Sequence, residues 1–310
     1  MLKPYALRSG DRLALVAPAS SFDRDAFNRG VDEIRRLGFE PVYDETVFAR
    51  RPFVAGEPAV RAEALRRAWR DPSIAGIVSV RGGYGSVQVL PLLDKAEVQA
   101  GRKPFVGYSD VTSLLTFLTL GCDLVCFHGP MLIGRLEKGE EGYDRDSFLR
   151  SVTQAAPLGP LSTPSLEIIK PGDAHGRLFG GTITQLAASL GTPYAFLPPP
   201  GCLLFLEEVA ERPYRLDRLL MQLRLGRVLD RAHGIVFGEL PRCDEPGGAI
   251  SARAAVADAL SDFPGPIVFG FPSGHTTGPQ MTLPFGVDAR LVAQGQPELI
   301  IEEAAVEARR

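Results

Sequence analysis

Short apolar runs alternating with helix-patterned stretches fill the N-terminal part of this chain, and that alternation limits the possible folds more than any other feature. Arg12–Ala17 is almost wholly apolar and stops at Pro18, as suits a strand covered on both faces. Ser20 or Ser21 can then cap a helix over about Arg24 to Leu37, closed by Gly38, before the extended run Glu40–Tyr43. Strand, helix and strand in that order predict a parallel sheet. The pattern recurs: Pro58–Arg70 sets Ala59, Ala62, Leu65, Ala68 and Trp69 at helical spacing, and Ile74–Val80 is another buried strand. Pro104–Gly107, a helix to about Leu120 and the run Leu124–Phe127 complete a doubly wound α/β unit.

From Arg135 to His175 the chain turns polar and proline-marked, which predicts a domain crossing. Beyond it, Cys202–Leu206, Gly234–Gly238 and Pro266–Gly270 read as strands, with helices at Tyr214–Leu225 and Ser251–Leu260. Val287–Ala293 and Leu299–Ile301 read as edge strands of a smaller mixed sheet. The expected organisation is an N-terminal α/β domain over residues 1–135, a crossing segment over 136–170 and a β-rich C-terminal domain over 171–310.

Composition removes several function classes. A net charge of −3 and a pI near 5.9, with Lys and Arg scattered, argue against a nucleic-acid partner. No stretch approaches the roughly 18 apolar residues of a membrane span, and no signal sequence is recognisable, so a cytoplasmic location is expected. Cys122, Cys126, Cys202 and Cys243 are too scattered for a disulfide framework or a metal knuckle and read as buried thiols.

Two features point to chemistry. Arg81-Gly82-Gly83-Tyr84-Gly85 follows the Ile74–Val80 strand, at the edge where open α/β sheets bind ligands. Its spacing is wrong for a dinucleotide fingerprint, the first strand-to-helix turn has no glycine, and no phosphate-binding P-loop pattern occurs, so no nucleotide cofactor is expected. The second feature is Gly107-Tyr108-Ser109-Asp110, a strand end running directly into a helix. It reads either as a nucleophile elbow that lifts the Ser109 hydroxyl or as a plain helix-capping serine.

A nucleophilic serine needs a base, and the base needs a carboxylate. His175, in the polar crossing, and His233, in a charged stretch, read as surface residues; His128 and His275 both follow strands near glycine loops. Glu207 and Glu208 end an apolar strand, where a buried charge requires a partner. Neighbouring strand residues face opposite ways, so only one of them meets the histidine. The other pairs with Arg215 or Arg218, or faces water.

Together these residues resemble the LD-carboxypeptidase family of serine peptidases, which includes muramoyltetrapeptide carboxypeptidases and microcin C-type immunity peptidases. The likeness runs from Gly10–Ser20 to Leu283–Gly286, and Arg81–Gly85, Gly107–Asp110, His128–Pro130, Leu206–Glu208 and Ser273–His275 carry it. It implies a flavodoxin-like N-terminal domain bearing the nucleophile and a smaller β-rich α/β C-terminal domain bearing Glu and His. The implied triad is Ser109, Glu207 and His275, with Glu208 as the alternative carboxylate. Thr182 stands in Gly180-Gly181-Thr182 where the family often has asparagine, and receives no role.

The implied reaction is acyl transfer from Ser109, with backbone N–H groups of Asp110 and of Gly82-Gly83 meeting the oxyanion and no metal or cofactor. Arg81 either holds a substrate carboxylate or bonds loop carbonyls. The expected substrate is a small peptide, murein tetrapeptide losing its terminal D-alanine. A microcin-type or other C-terminally modified peptide is the rival, and a non-catalytic peptide-binding domain is the reading from another class. A homodimer is expected.

Overall fold

The computed structural model describes residues 1–309. The apolar runs of the N-terminal part become β1 (Arg12–Val16), β2 (Glu40–Val42), β3 (Ile74–Ser79), β4 (Phe105–Gly107) and β5 (Cys126–His128). They pair in parallel in the order 2-1-3-4-5, the flavodoxin-like arrangement. Helix α1 (Arg24–Arg36) joins β1 to β2, and α2 (Pro58–Arg70) precedes β3. The α1 cap is the Asp23 carboxylate, which accepts from the Ala26 amide at 2.9 Å, rather than Ser20 or Ser21. An aspartate adds charge to the cap, and the macrodipole favours that charge at a helix N-terminus. Helix α3 (Lys95–Gly101) leads to β4, and α4 (Thr112–Thr116) runs on into a π-helical turn, Phe117–Gly121. Trp69 is buried and stacks on Phe105, with ring centroids 6.4 Å apart, so it packs α2 against β4.

The stretch read as a crossing carries α5 (Arg145–Thr153), β6 (Gly159–Leu161) and β7 (Glu167–Lys170). Next come β8 (Gly172–Thr182), α6 (Ile183–Ser189), β9 (Cys202–Glu207), α7 (Pro213–Leu225), β10 (Ala232–Gly238), α8 (Ala252–Ala259) and β11 (Ile267–Phe271). β12 (Leu283–Phe285), β13 (Asp288–Ala293) and β14 (Glu298–Ile301) follow. The second sheet has the order β6-β14-β13-β8-β9-β10-β11-β7, with a parallel centre from β8 to β11 and antiparallel flanks. At eight strands it is wider than the first sheet, larger than the small mixed sheet the sequence suggests. His175 lies within β8, paired opposite Arg290, and not in a linker.

β12 does not belong to that sheet. It pairs antiparallel with β5, Leu283 opposite His128 and Phe285 opposite Cys126, and so finishes the first sheet with a C-terminal segment. Pro284 suits such an outer position, since proline cannot donate to a further ladder. One buried cluster spans both halves, joining Val106, Tyr108 and Phe127 to Leu178, Phe205, Phe271 and Phe285. This aromatic seam brings the C-terminal end of β4 to the C-terminal end of β9. All four cysteines are free and buried.

Candidate active site

Gly107 ends β4 under a tight turn: a Cβ there would lie 2.7 Å from Val111 Cγ1 and 3.1 Å from Ser79 Oγ. Two residues on, Ser109 adopts φ +64°, a left-handed conformation that costs an L-residue about 1–2 kcal/mol. It opens a 3₁₀ turn, Ser109–Val111, that leads into α4, and its side chain caps no helix. The strain is held by neighbours. Buried Asp110 accepts from the Ser86 amide at 2.8 Å through one carboxylate oxygen and from Gln185 Nε2 at 3.3 Å through the other. Ser86 also donates its hydroxyl to the Asp110 carbonyl at 2.5 Å. Gln185 belongs to α6, so the turn is gripped from both halves of the molecule.

The glycine loop leans on the serine. A Cβ on Gly82 would stand 3.0 Å from Ser109 Cβ and 3.1 Å from Oγ, so any side chain there would crowd the serine, which would have to give by a few tenths of an ångström. Neither the Gly82 nor the Gly83 amide meets an acceptor among the described residues. The Asp110 amide lies in the first turn of its helix, where N–H groups have no intrahelical partner. Gly82 thus lies against the hydroxyl, and the amides of Gly82, Gly83 and Asp110 are all left without an acceptor among the described residues. Ser20 ties the loop down: its amide donates to Gly82 O, and its hydroxyl accepts from Tyr84 N at 3.0 Å and donates to Phe53 O at 2.9 Å. Arg61, which the sequence reading passes over, is buried beneath and donates to the carbonyls of Pro18, Gly56 and Gly85. Arg81 is exposed and donates to Ser21 O at 2.6 Å.

In the C-terminal half, Glu207 is fully buried at the end of β9. One carboxylate oxygen accepts from the His275 amide at 2.8 Å and from His275 Nδ1 at 2.7 Å; the other accepts from the Thr182 hydroxyl. Thr182, given no role from sequence, thus donates to the buried carboxylate. Glycine is required here too, because a Cβ on Gly274 would sit 2.6 Å from Glu207 Cδ. Burial pushes the Glu207 carboxyl up, but the His275 charge and hydrogen bond, His128 and Thr182 outweigh it and hold the pKa at about 2. Burial alone would lower the His275 pKa; the Glu207 charge and hydrogen bond raise it above the ordinary value. With Nδ1–H pointed at Glu207, Nε2 carries the lone pair.

Glu208 does not meet His275, nor does it pair with Arg215 or Arg218 or face water. It is buried and accepts from the Thr184 amide at 2.9 Å, the Thr184 hydroxyl at 2.7 Å and the Val209 amide at 3.0 Å, tying the start of α6 to the end of β9. Burial, then repulsion from Glu207, raises its pKa to about 7. His128, the other histidine left open, sits in the aromatic seam 5.1 Å from Phe205 and 5.3 Å from Phe285, with Nδ1 bonded to Ser273 Oγ. Burial depresses its pKa to about 4, so it packs as a neutral ring. His175 pairs with Glu302 on the surface, and His233 is exposed.

No hydrogen bond joins Ser109 to His275 among the described residues; the imidazole lies 5.2 Å, centroid to centroid, from the ring of Tyr108, the residue before Ser109. Catalytic hydrogen bonds commonly close only with substrate in place. Among the described residues no group of three or more His, Cys, Asp or Glu is arranged to hold a metal ion.

A serine on a strained strand-to-helix turn, with a buried carboxylate–imidazole pair carried by a second α/β half, fits the serine-type hydrolases. Comparison with known proteins makes the assignment particular. The chain belongs to the LD-carboxypeptidase family, whose N-terminal domain matches residues 13–129 and whose C-terminal domain matches residues 175–291. It is 36% identical over 301 residues to a putative carboxypeptidase of Streptomyces coelicolor, covering 94% of each chain. Identity to the murein tetrapeptide carboxypeptidase of Pseudomonas aeruginosa is 31%, over 85% of this chain and 88% of that one. The structure of the Escherichia coli microcin C7 self-immunity protein MccF in complex with aspartyl sulfamoyl adenosine superposes with a TM-score of 0.91 at 25% identity, covering 99% of this chain and all of the other. Among the described residues no helix is long and apolar enough to cross a membrane.

Proposed function

We propose that this protein removes the terminal D-alanine from murein tetrapeptide through an acyl-enzyme on Ser109. The observation that carries the reading is the fully buried Glu207 bonded to both the amide and Nδ1 of His275, beside the strained Ser109 turn. His275 Nε2 takes the Ser109 proton, and the hydroxyl oxygen attacks the carbonyl of the LD bond. Glu207 holds the imidazole in the required tautomer and stabilises its charge. The amides of Asp110, Gly82 and Gly83 receive the oxyanion, where one such donor is worth about 3–4 kcal/mol in other enzymes. The imidazolium then protonates the leaving amine, and water, activated by the same base, releases the shortened peptide. Arg81, exposed on the rim with one nitrogen on Ser21 O, offers the rest of its fork to the terminal carboxylate. The chemistry runs without metal or nucleotide, in the cytoplasm, on a homodimer.

The likeness to a protein seen with an aminoacyl sulfamoyl nucleotide supports a second reading, hydrolysis of a microcin C-type conjugate. The higher identity to the murein enzyme favours the first. Incubation with murein tetrapeptide beside an aminoacyl-adenylate analogue, followed by mass spectrometry, separates them. Ser109→Ala should abolish hydrolysis with the fold intact, and chelators should leave the rate unchanged. Full activity in that variant refutes the serine mechanism. If neither the native protein nor the variant turns over either compound but both bind peptide, the protein is a binding domain.

A further inference from the structure

Arg135 lies beyond β5 in the N-terminal half, and its guanidinium is buried. One terminal nitrogen donates to Gly274 O at 2.9 Å and Thr276 O at 3.0 Å, the two carbonyls on either side of His275. The other donates to Gly278 O at 3.1 Å and Gly142 O at 3.3 Å. The guanidinium carbon also stands 5.9 Å from the ring of Tyr108, the residue before Ser109. Among the described residues Arg135 forms no salt bridge, so carbonyl dipoles and an aromatic face compensate this buried charge.

We infer that Arg135 is a positioning residue that fastens the His275 loop to the half of the molecule bearing Ser109. The inference rests on the reading of His275 as the base. The loop has no helix or strand of its own around His275, and Gly274 is at φ +76°, so side-chain bonds must hold it. On its far side Glu239 accepts from the Thr276 hydroxyl, the Thr277 amide at 2.8 Å and the Thr277 hydroxyl at 2.7 Å. Arg135 holds the loop from the serine's half, where His128 also bonds Ser273 at the loop's start. Four of its five N–H donors are already spent on carbonyls and only Nε is unpartnered, so the side chain is not a receptor for a substrate carboxylate. Glu207, Tyr108 and Arg135 lie against His275 or its loop; Glu208, turned toward Thr184, and His128, in the aromatic seam, act on it through their charge, and Glu239 stands behind the loop. Arg135 opposes the two glutamates and trims the basicity of the imidazole.

The test compares native protein, Arg135→Ala and Arg135→Lys by thermal melting, kcat and KM on murein tetrapeptide, and NMR titration of the His275 imidazole. Folded Arg135→Ala should lose about 100-fold in kcat with KM little changed, the usual cost of a misplaced catalytic group. Free guanidinium ion should restore part of that loss. The lysine variant, with its charge kept but the fork gone, should fall between. His275 should titrate at higher pH in Arg135→Ala. Unchanged kcat in a folded alanine variant, or a loss confined to KM, overturns the inference. If the alanine variant does not fold, the same readouts on Arg135→Lys decide. If the native protein leaves murein tetrapeptide intact, the substrate reading fails, whereas the His275 titration still tests Arg135: an unmoved titration curve refutes it.

Discussion

Glu207→Gln removes one charge and hardly changes volume. Its oxygen can keep both bonds from His275, and its amide can face Thr182, whose hydroxyl turns to accept. The structure therefore allows the charge to be tested almost alone. Glu207 titrates at about 2 instead of 4.5, so the site favours its charged form by about 3 kcal/mol, at about 1.4 kcal/mol per tenfold step. The folded-state pKa is depressed, so this stability is present above about pH 4.5 and is lost as pH falls through about 2. The same attraction stabilises the imidazolium formed during acyl transfer. Losing it should lower kcat about 100-fold from charge alone, and about 10⁴-fold if the amide reverses the tautomer. The pH dependence carries a second sign. Glu207 raises the His275 pKa above 6.5, and without it burial dominates, so the acid limb of kcat/KM should move from above 6.5 to below it. Release of D-alanine from murein tetrapeptide, followed across pH, measures both. A kcat within threefold of the native value, or an acid limb that moves upward, refutes the role given to this carboxylate.

Ser109→Gly should abolish hydrolysis yet raise the melting temperature, because relieving the left-handed turn returns about 1–2 kcal/mol and the glycine entropy cost removes about half; a lower melting point in calorimetry counts against strain at the elbow. Thr182→Val should cost about 1.5–3 kcal/mol by deleting a donor to a buried charge and should shift acid unfolding to higher pH. Identical acid unfolding curves would mean that the hydroxyl does not support Glu207. Glu208 has a raised pKa, so its contribution to stability is complete below about 4.5 and is lost as pH rises through about 7. Thermal melts of Glu208→Gln should therefore decline less than the native protein between those limits; parallel curves contradict a carboxyl that is neutral when buried.

Much of this architecture is legible in local pattern. Apolar runs flanked by helical periodicity predict the parallel pairing of β1 to β5, though not their order, because a strand covered on both faces has no polar side to display. β12 escapes that reading: three residues with a central proline have no periodicity, and their partner β5 lies far away in the chain. The α1 cap escapes it too: the pattern points to Ser20 or Ser21, but Asp23, next to the helix, takes the place. Only the approach of Phe53 and the glycine loop commits Ser20 elsewhere.

The sequence by itself determined the residue types of the site and their order along the chain: a serine after a strand, adjacent glutamates at the end of another, and a histidine in a glycine loop. Tertiary structure decided which partners meet. Glu207 faces His275 whereas Glu208 turns to Thr184, because consecutive strand residues project to opposite sides. His128 is enclosed by Phe205 and Phe285, while His275 lies beside Tyr108 and keeps part of its ring exposed. Arg61 acquires its place when α2 packs against the glycine loop, Thr182 when β8 pairs with β9, and Arg135 when the two halves meet. Local spacing sets periodicity within a few residues, but a hydrogen bond across more than a hundred residues exists only once packing has brought its two atoms to about 3 Å.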